Sequence, residues 1–547
     1  MTRRLGFHRA PVAALFLPLL GALAGCGGAG KGGVDSAIPD GATPDSGADD
    51  GGLADGGPDG GPDSGDLAFP EGFLWGTAVA GFQVDPGCPT LASELCEDRG
   101  SDWYQWVTDP KLVAEKGNHL SGEPIAHGPG HYEVFAEDFA LARDTLENNA
   151  LRFSLEWSRL FPTSTAAATT DEEVAALTDP AYVAHVHEVL AALAAHGLKP
   201  LVTLHHYTLP LWLHDGKACH AKPATCSPAG WLDAQALIRE MAKYARFVAR
   251  EFGAEVDLWA TLNEPLAVVI AGFLFPSADR TNPPGLSLDA DRAVAALLAM
   301  IEAHAWIYDA IHEADTVDAD GDGAAALVGL VHAVSVFSPK NPANSADVTG
   351  AKHAFRLYNR VILDGTILGD LDTNLDGVIE EHRDDLAGRM DFLGVNYYFR
   401  TTVKGTVIPV FLKYALLDFV PVSFATDPGG MREAVLFAAG YGLPVYITEC
   451  GVDDPKGDGT GPRFLVRHLA ALHEAMEEGA DVRGYFHWSL MDNYEWNHGT
   501  SLRFGLFAVD PLDPSKARAP KLSASVYGRI AGADAIPAAL LDAYGAR

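Results

Sequence analysis

At 547 residues the chain is long enough for a large core, and 48% hydrophobic content is that of an ordinary globular protein. A net charge of −34, with no lysine- or arginine-rich run to offset it, excludes nucleic acid as a partner. Part of that charge lies in an N-terminal tail and says little about the folded part.

Arg3, Arg4 and Arg9 precede an apolar run from Ala10 to Leu23, too short and too early for a membrane span, so the N-terminus reads as a targeting segment. It ends in Leu23-Ala24-Gly25-Cys26, which resembles the bacterial lipoprotein signal. That resemblance implies cleavage before Cys26, a lipid on its sulfur and a place in the bacterial envelope. A plain secretory signal that happens to contain a cysteine is the alternative. Gly27, not aspartate, follows Cys26, which fits an outer-membrane or cell-surface destination. Residues 27–66 are mostly Gly, Asp, Ala, Pro and Ser and cannot bury enough apolar area to offset chain entropy, so they read as a flexible linker. The expected division is a signal peptide at 1–25, a lipidated cysteine and linker at 26–66, and one folded domain at 67–547. Cys88 with Cys96 and Cys219 with Cys226 lie close in sequence in turn-rich loops; an exported chain suits two local disulfides, against four free thiols. Cys450 is left odd.

From Phe69 onward, apolar strands alternate with amphipathic helices. Strands are predicted at Gly72–Ala78, Ala150–Trp157, Lys199–His206, Val256–Leu262, Leu327–Val331, Met390–Asn396, Pro444–Thr448 and Val482–Trp488. Helical stripes fall between them: Phe135, Phe139, Ala142 and Leu146; Ile238, Met241, Ala245, Val248 and Phe252; Leu465, Leu469, Leu472 and Met476. Eight such units over about 470 residues, with polar groups at the strand ends, predict an α/β fold, a (β/α)8 TIM barrel with long loops preceded by a disordered tether. An open doubly wound sheet is less favoured, because no Gly-rich phosphate turn follows the first strand.

Two strands end on carboxylates: Trp259-Ala-Thr-Leu-Asn-Glu264-Pro265 and Val445-Tyr-Ile-Thr-Glu449-Cys450-Gly451. A carboxylate at the end of a buried strand is costly to desolvate unless it has a task or partners. Two of them are the raw material of two-carboxylate glycoside chemistry. Thr261–Pro265, Ile447–Gly451, Arg152-Phe-Ser-Leu-Glu-Trp-Ser-Arg159, Asp391–Tyr398 and Gly484–Trp496 together resemble glycoside hydrolase family 1, the β-glucosidase family, from about Phe69 to Ile530. Ser101–Trp106 and Ala480–Tyr485 look closest to the archaeal-type β-glycosidases. The resemblance implies retaining double displacement on small β-glycosides, with Glu449 as nucleophile, Glu264 as acid/base, and Arg152 and Tyr398 beside Glu449. It implies sugar contacts from Gln83, His206, Asn263, Asn396, Glu495 and Trp496, over a floor at Trp488. Family members acting on 6-phosphorylated sugars lack the Glu495-Trp496 pair, so unphosphorylated β-glucosides or β-galactosides are expected. No cofactor is needed for catalysis. A non-catalytic sugar-binding lipoprotein and a transglycosidase are the alternatives, and the sequence assigns no oligomeric state.

Three positions depart from the family pattern. Cys450 replaces an asparagine beside the nucleophile and is either a buried filler or an oxidisable thiol. Tyr207, in His205-His206-Tyr207-Thr208, stands where tryptophan is common and adds a hydroxyl, which bears on sugar preference. Asn497-His498 follow Glu495-Trp496 where members vary. Two acidic loops, Asp318-Ala-Asp320-Gly-Asp322-Gly and Asp372-Thr-Asn374-Leu-Asp376-Gly, match the first half of a calcium loop. Gly329 and Arg383 stand where the twelfth-position glutamate belongs, so structural calcium and solvated turns both remain open.

Overall fold

A computed structural model describes residues 65–406, 413–457 and 459–546. The signal peptide, Cys26 and the linker up to residue 64 lie outside the described residues. Eight parallel strands close into a barrel: β1 Leu74–Ala78, β2 Ala150–Ser154, β3 Lys199–His205, β4 Leu258–Asn263, β5 Leu327–Ala333, β6 Phe392–Asn396, β7 Val445–Cys450 and β8 Val482–Trp488. Each pairs with its sequence neighbours, and β8 closes on β1.

The helical stripes pack as their spacing demands. Helix α1 (His131–Asp144) buries Phe139 and Ala142, α3 (Ala234–Phe252) buries Ile238, Met241, Ala245, Val248 and Phe252, and α7 (Thr460–Glu477) buries Leu465, Leu469 and Leu472. Between them in chain order run α2 (Pro180–Ala195), α4 (Ala290–Ala314), α5 (Ser345–Phe355) and α6 (Pro428–Ala439), with α8 (Leu522–Ala531) last. Helix α4 is apolar and long enough to cross a membrane, yet it is mostly buried against the core.

The barrel interior is filled, not open, by Leu201, Leu258, Phe392, Tyr446 and Phe486. Phe486 fits because Gly76 faces it: a Cβ there would lie 2.4 Å from the ring. At the amino-terminal face, Pro70, Lys199, Asp257, Asp320, Tyr446 and Arg483 ring a separate depression. Leu67 and Ala68 pair antiparallel with Ala535 and Ile536, and Asp66 Oδ1 accepts from the Ala538 amide at 2.8 Å.

Only Val482–Trp488 keeps its predicted bounds; the other seven strands differ at one or both ends, two of them for a physical reason visible in the structure. Strand β2 stops at Ser154, because Glu156 takes the N-cap position of a short helix, Trp157–Leu160. Strand β4 includes Asn263, and Pro265 opens the helix Pro265–Val269 at its first turn, where proline needs no N–H partner. Cys88 is bonded to Cys96 and Cys219 to Cys226, each pair closing a short loop.

Candidate active site

Glu264 follows the last residue of β4, and Glu449 is the penultimate residue of β7, so both carboxyls emerge at the carboxyl-terminal face of the barrel. They line one open pocket together with Gln83, His206, Tyr207, Asn396, Trp488, Glu495 and Trp496. Tyr207, Glu264 and Trp496 all hold positive φ (72°, 45° and 48°) without being glycine. Such strain clusters where the surroundings over-determine the backbone, and here it falls on three pocket residues.

Arg152, inside β2 and 1% exposed, reaches Glu449 from behind the pocket wall. Its Nη1 donates to Glu449 Oε1 at 2.6 Å, Nη2 to Asn263 Oδ1 at 2.7 Å, and Nε to Thr203 Oγ1 at 3.1 Å. The Tyr398 hydroxyl donates to Glu449 Oε2 at 2.7 Å, so each carboxyl oxygen of Glu449 has a donor of its own. Burial pushes the Glu449 carboxyl up to about 7; Arg152 opposes that rise and the neighbouring Glu264 adds to it.

Glu264 meets different partners. Asn396 Nδ2 donates to Oε1 at 2.8 Å, with the Asn396 carbonyl oxygen held by the Thr448 hydroxyl at 2.7 Å. The Tyr207 hydroxyl donates to Oε2 at 2.5 Å. The hydroxyl that distinguishes this chain at position 207 therefore turns to Glu264. Asn396 sits directly beside Glu449 across the β6–β7 pairing, which brings the two carboxyl environments together.

Glu495 accepts from Gln83 Nε2 at 2.8 Å and from Arg280 Nη2 at 3.3 Å. Burial raises its carboxyl and Arg280 opposes the rise. Among the described residues, the buried Gln83 Oε1 and His206 Nδ1 find no hydrogen-bond partner. His206 Nε2 faces Asn263 Nδ2 at 3.2 Å and so accepts there, which leaves Nδ1 as the donor. Burial holds the His206 ring neutral, its pKa pushed well below the ordinary range. An orphan acceptor and an orphan donor are what a sugar hydroxyl satisfies.

One family model, glycosyl hydrolase family 1, matches residues 66–535. The chain belongs to glycosyl hydrolase family 1. Among its family 1 relatives, a β-galactosidase of Pyrococcus woesei is 35% identical over 84% of this chain and 96% of its own length. A β-galactosidase of Sulfolobus acidocaldarius is 32% identical over 86% and 96%. The crystal structure of the β-glycosidase from Thermosphaera aggregans superposes with a TM-score of 0.73 at 30% identity, covering 87% of this chain and 99% of that one. The archaeal-type resemblance is carried by these relatives, and the chain is a family 1 enzyme acting on small carbohydrates.

Of the expected site residues, Gln83, His206, Glu264, Asn396, Tyr398, Glu449, Trp488, Glu495 and Trp496 come together at the pocket wall. Arg152 and Asn263 lie behind it. Asn263 spends its amide between Arg152, Asn396 and His206. Trp496 is 1% exposed, stacked on Phe82 at 5.4 Å and tilted against Trp103 at 4.5 Å. Arg280 was not foreseen: it lies in the loop between the short helix and α4, where no periodicity marks it. Cys450 is fully buried in the apolar core and away from the pocket wall, and burial pushes its thiol far above the ordinary range. A neutral, enclosed thiol is inert, so the filler reading fits it and the oxidisable one does not.

The acidic loops lie apart from this pocket. Asp318 and Asp320 gather with Asp257 rather than with Asp322, and Asp372 and Asp376 gather with Glu380, whose Oε1 accepts from Asn374 Nδ2 at 3.1 Å. Among the described residues these are the groups of carboxylates that could hold a divalent cation. Each already faces a protein cation: Lys199 Nζ is 2.9 Å from Asp320, and Arg356 Nε is 3.6 Å from Asp372.

Proposed function

We propose that the chain is a retaining exo-acting β-glycosidase that removes terminal, unphosphorylated β-glucosyl or β-galactosyl groups. The observation that carries this reading is the pair of buried carboxyls with opposed surroundings. Glu449 has a cation and a phenol aimed at its two oxygens, which favours its charge; Glu264 has only uncharged donors. In this reading Arg152 and Tyr398 favour the charge on Glu449, and Glu264 is the carboxyl that carries the proton. Glu449 then attacks the anomeric carbon while Glu264 gives its proton to the departing oxygen. In the second half Glu264 takes a proton from water, whose oxygen displaces Glu449. Gln83, His206 and Glu495 hold the sugar hydroxyls over Trp488. No step uses a metal; a calcium ion at the Asp372 loop would serve the fold alone.

The Glu495 carboxyl lines the pocket, and a carboxylate there disfavours a dianionic phosphate on the sugar. Nitrophenyl β-glucoside, β-galactoside and β-fucoside offered to the chain from Asp66 onward test the reading. Turnover of the glucoside or the galactoside, roughly tenfold or more above its 6-phospho counterpart, is expected from charge repulsion. Faster cleavage of the 6-phospho-glycoside would overturn the substrate class.

The same reading includes export and a lipid on Cys26, supported by the Arg3-to-Cys26 sequence. A full-length Cys26→Ser chain expressed in a bacterial host should leave the membrane fraction; retention there would reject the lipid anchor.

A further inference from the structure

We infer that Tyr207 is a proton-handling partner of Glu264, a hydroxyl that serves the acid/base carboxyl in both of its protonation states. The inference rests on the assignment of Glu264 as acid/base. Tyr207 is 4% exposed and lines the pocket, and its hydroxyl meets Glu264 Oε2 at 2.5 Å. The other oxygen, Oε1, is an acceptor from Asn396. A proton on Glu264 therefore sits on Oε2, the atom that Tyr207 touches.

A phenol can both donate and accept, which neither phenylalanine nor tryptophan can do at this place. While Oε2 carries the proton, the Tyr207 oxygen accepts from it. As the glycosidic C–O bond breaks, that proton goes to the leaving oxygen, and the new C–O bond forms to Glu449. Glu264 is left as a carboxylate, and the Tyr207 O–H turns to donate to it. In the second half Oε2 takes a proton from water and the phenol turns back. Tyr207 keeps its own proton throughout; burial and the neighbouring carboxyls hold its pKa well above the ordinary range.

The ring is fixed for this work. It makes a tilted contact with Trp496 at 4.9 Å, and the Arg280 guanidinium lies 5.6 Å from its centroid. The charged and titratable groups around Glu264 are Glu449, Arg152, Tyr398, His206, Tyr207, Arg280 and Glu495. Of these, Tyr207 alone has a hydrogen bond to Glu264 among the described contacts.

Because the phenol supports the charge that develops on Glu264, its loss matters most when the leaving group needs that proton. The test compares Tyr207→Phe with the parent on dinitrophenyl and methyl β-glycosides of the sugar that the parent cleaves. The dinitrophenyl-to-methyl ratio of kcat/KM should rise about tenfold, the worth of one hydrogen bond to a charged group. A ratio within about twofold of the parent overturns the inference, whatever the absolute loss, since a wall or sugar contact lowers both substrates alike. Tyr207→Trp, read by the same ratio, replaces the phenylalanine variant if melting shows that the latter does not fold. Glu264→Gln run alongside should raise the ratio by roughly 10²- to 10⁴-fold. If it does not, the acid/base assignment falls; if it does and Tyr207→Phe does not, only the role of Tyr207 falls.

Discussion

Glu449→Ala should lose roughly 10⁵-fold or more in turnover, on the scale of deleting a nucleophile that acts as part of a unit. The substitution leaves a small cavity that still has two donors aimed into it, Arg152 Nη1 and the Tyr398 hydroxyl. Arg152 also loses its buried counter-charge, so an anion that enters gains a site already built for one. Azide is small enough to fit. With a dinitrophenyl glycoside, which needs no proton from Glu264, azide should attack the anomeric carbon from the side that Glu449 used. The expected product is an α-glycosyl azide, accumulating in proportion to added azide. A β-glycosyl azide would mean that the attacking face is the other one. No rescue by folded protein would move the nucleophile elsewhere.

The second large effect belongs to Arg152→Gln. The guanidinium and Glu449 are both buried, and breaking such a pair by removing one partner costs about 3–5 kcal/mol. Much of that cost falls on the ionised form of Glu449, the only reactive form. Burial already pushes this carboxyl up to about 7, and Arg152 is the largest opposing influence. Without it the proton is held more tightly, so ionisation, and with it activity, must wait for higher pH. The acid limb of kcat/KM should therefore move upward by about one unit or more, with a loss near neutrality of roughly 10²- to 10³-fold. A comparable loss with an unmoved limb would make Arg152 a structural strut. Arg152→Lys keeps the charge but not the three-way grip on Glu449, Asn263 and Thr203, so it should recover the limb better than the rate.

The barrel was legible because its strands are short apolar runs bounded by polar ends, and Val482–Trp488 forms a strand over the residues its pattern marks. The two carboxyls stood out for the same reason: a charge at the end of a buried strand has to be accounted for. Local pattern stops where the chain is steered by distant groups. Glu156 ends β2 early because it leaves the sheet to accept from the Phe82 amide and the Thr208 hydroxyl, partners more than 50 residues away. Arg280 belongs to a loop whose path is set by the pocket itself. The direction of the Tyr207 hydroxyl depends on its backbone at φ 72°, which no propensity for tyrosine foretells. Asn263 has the expected residue type, but only the third dimension shows its amide held between Arg152, Asn396 and His206. Glu380 closes the second acidic loop at its ninth position, where a search for a twelfth-position ligand passes over it.

The pairing of Leu67–Ala68 with Ala535–Ile536 bears on how the enzyme is presented. Pro70 to Leu74 lie at the amino-terminal rim of the barrel, beside the strand starts, whereas the pocket opens at the opposite rim. A tether joined to the chain at Leu67 would therefore leave from the sole of the barrel, on the side away from its mouth. Any support bound through the N-terminus, whether an envelope or a bead, would then be joined at the rim that carries no pocket residue.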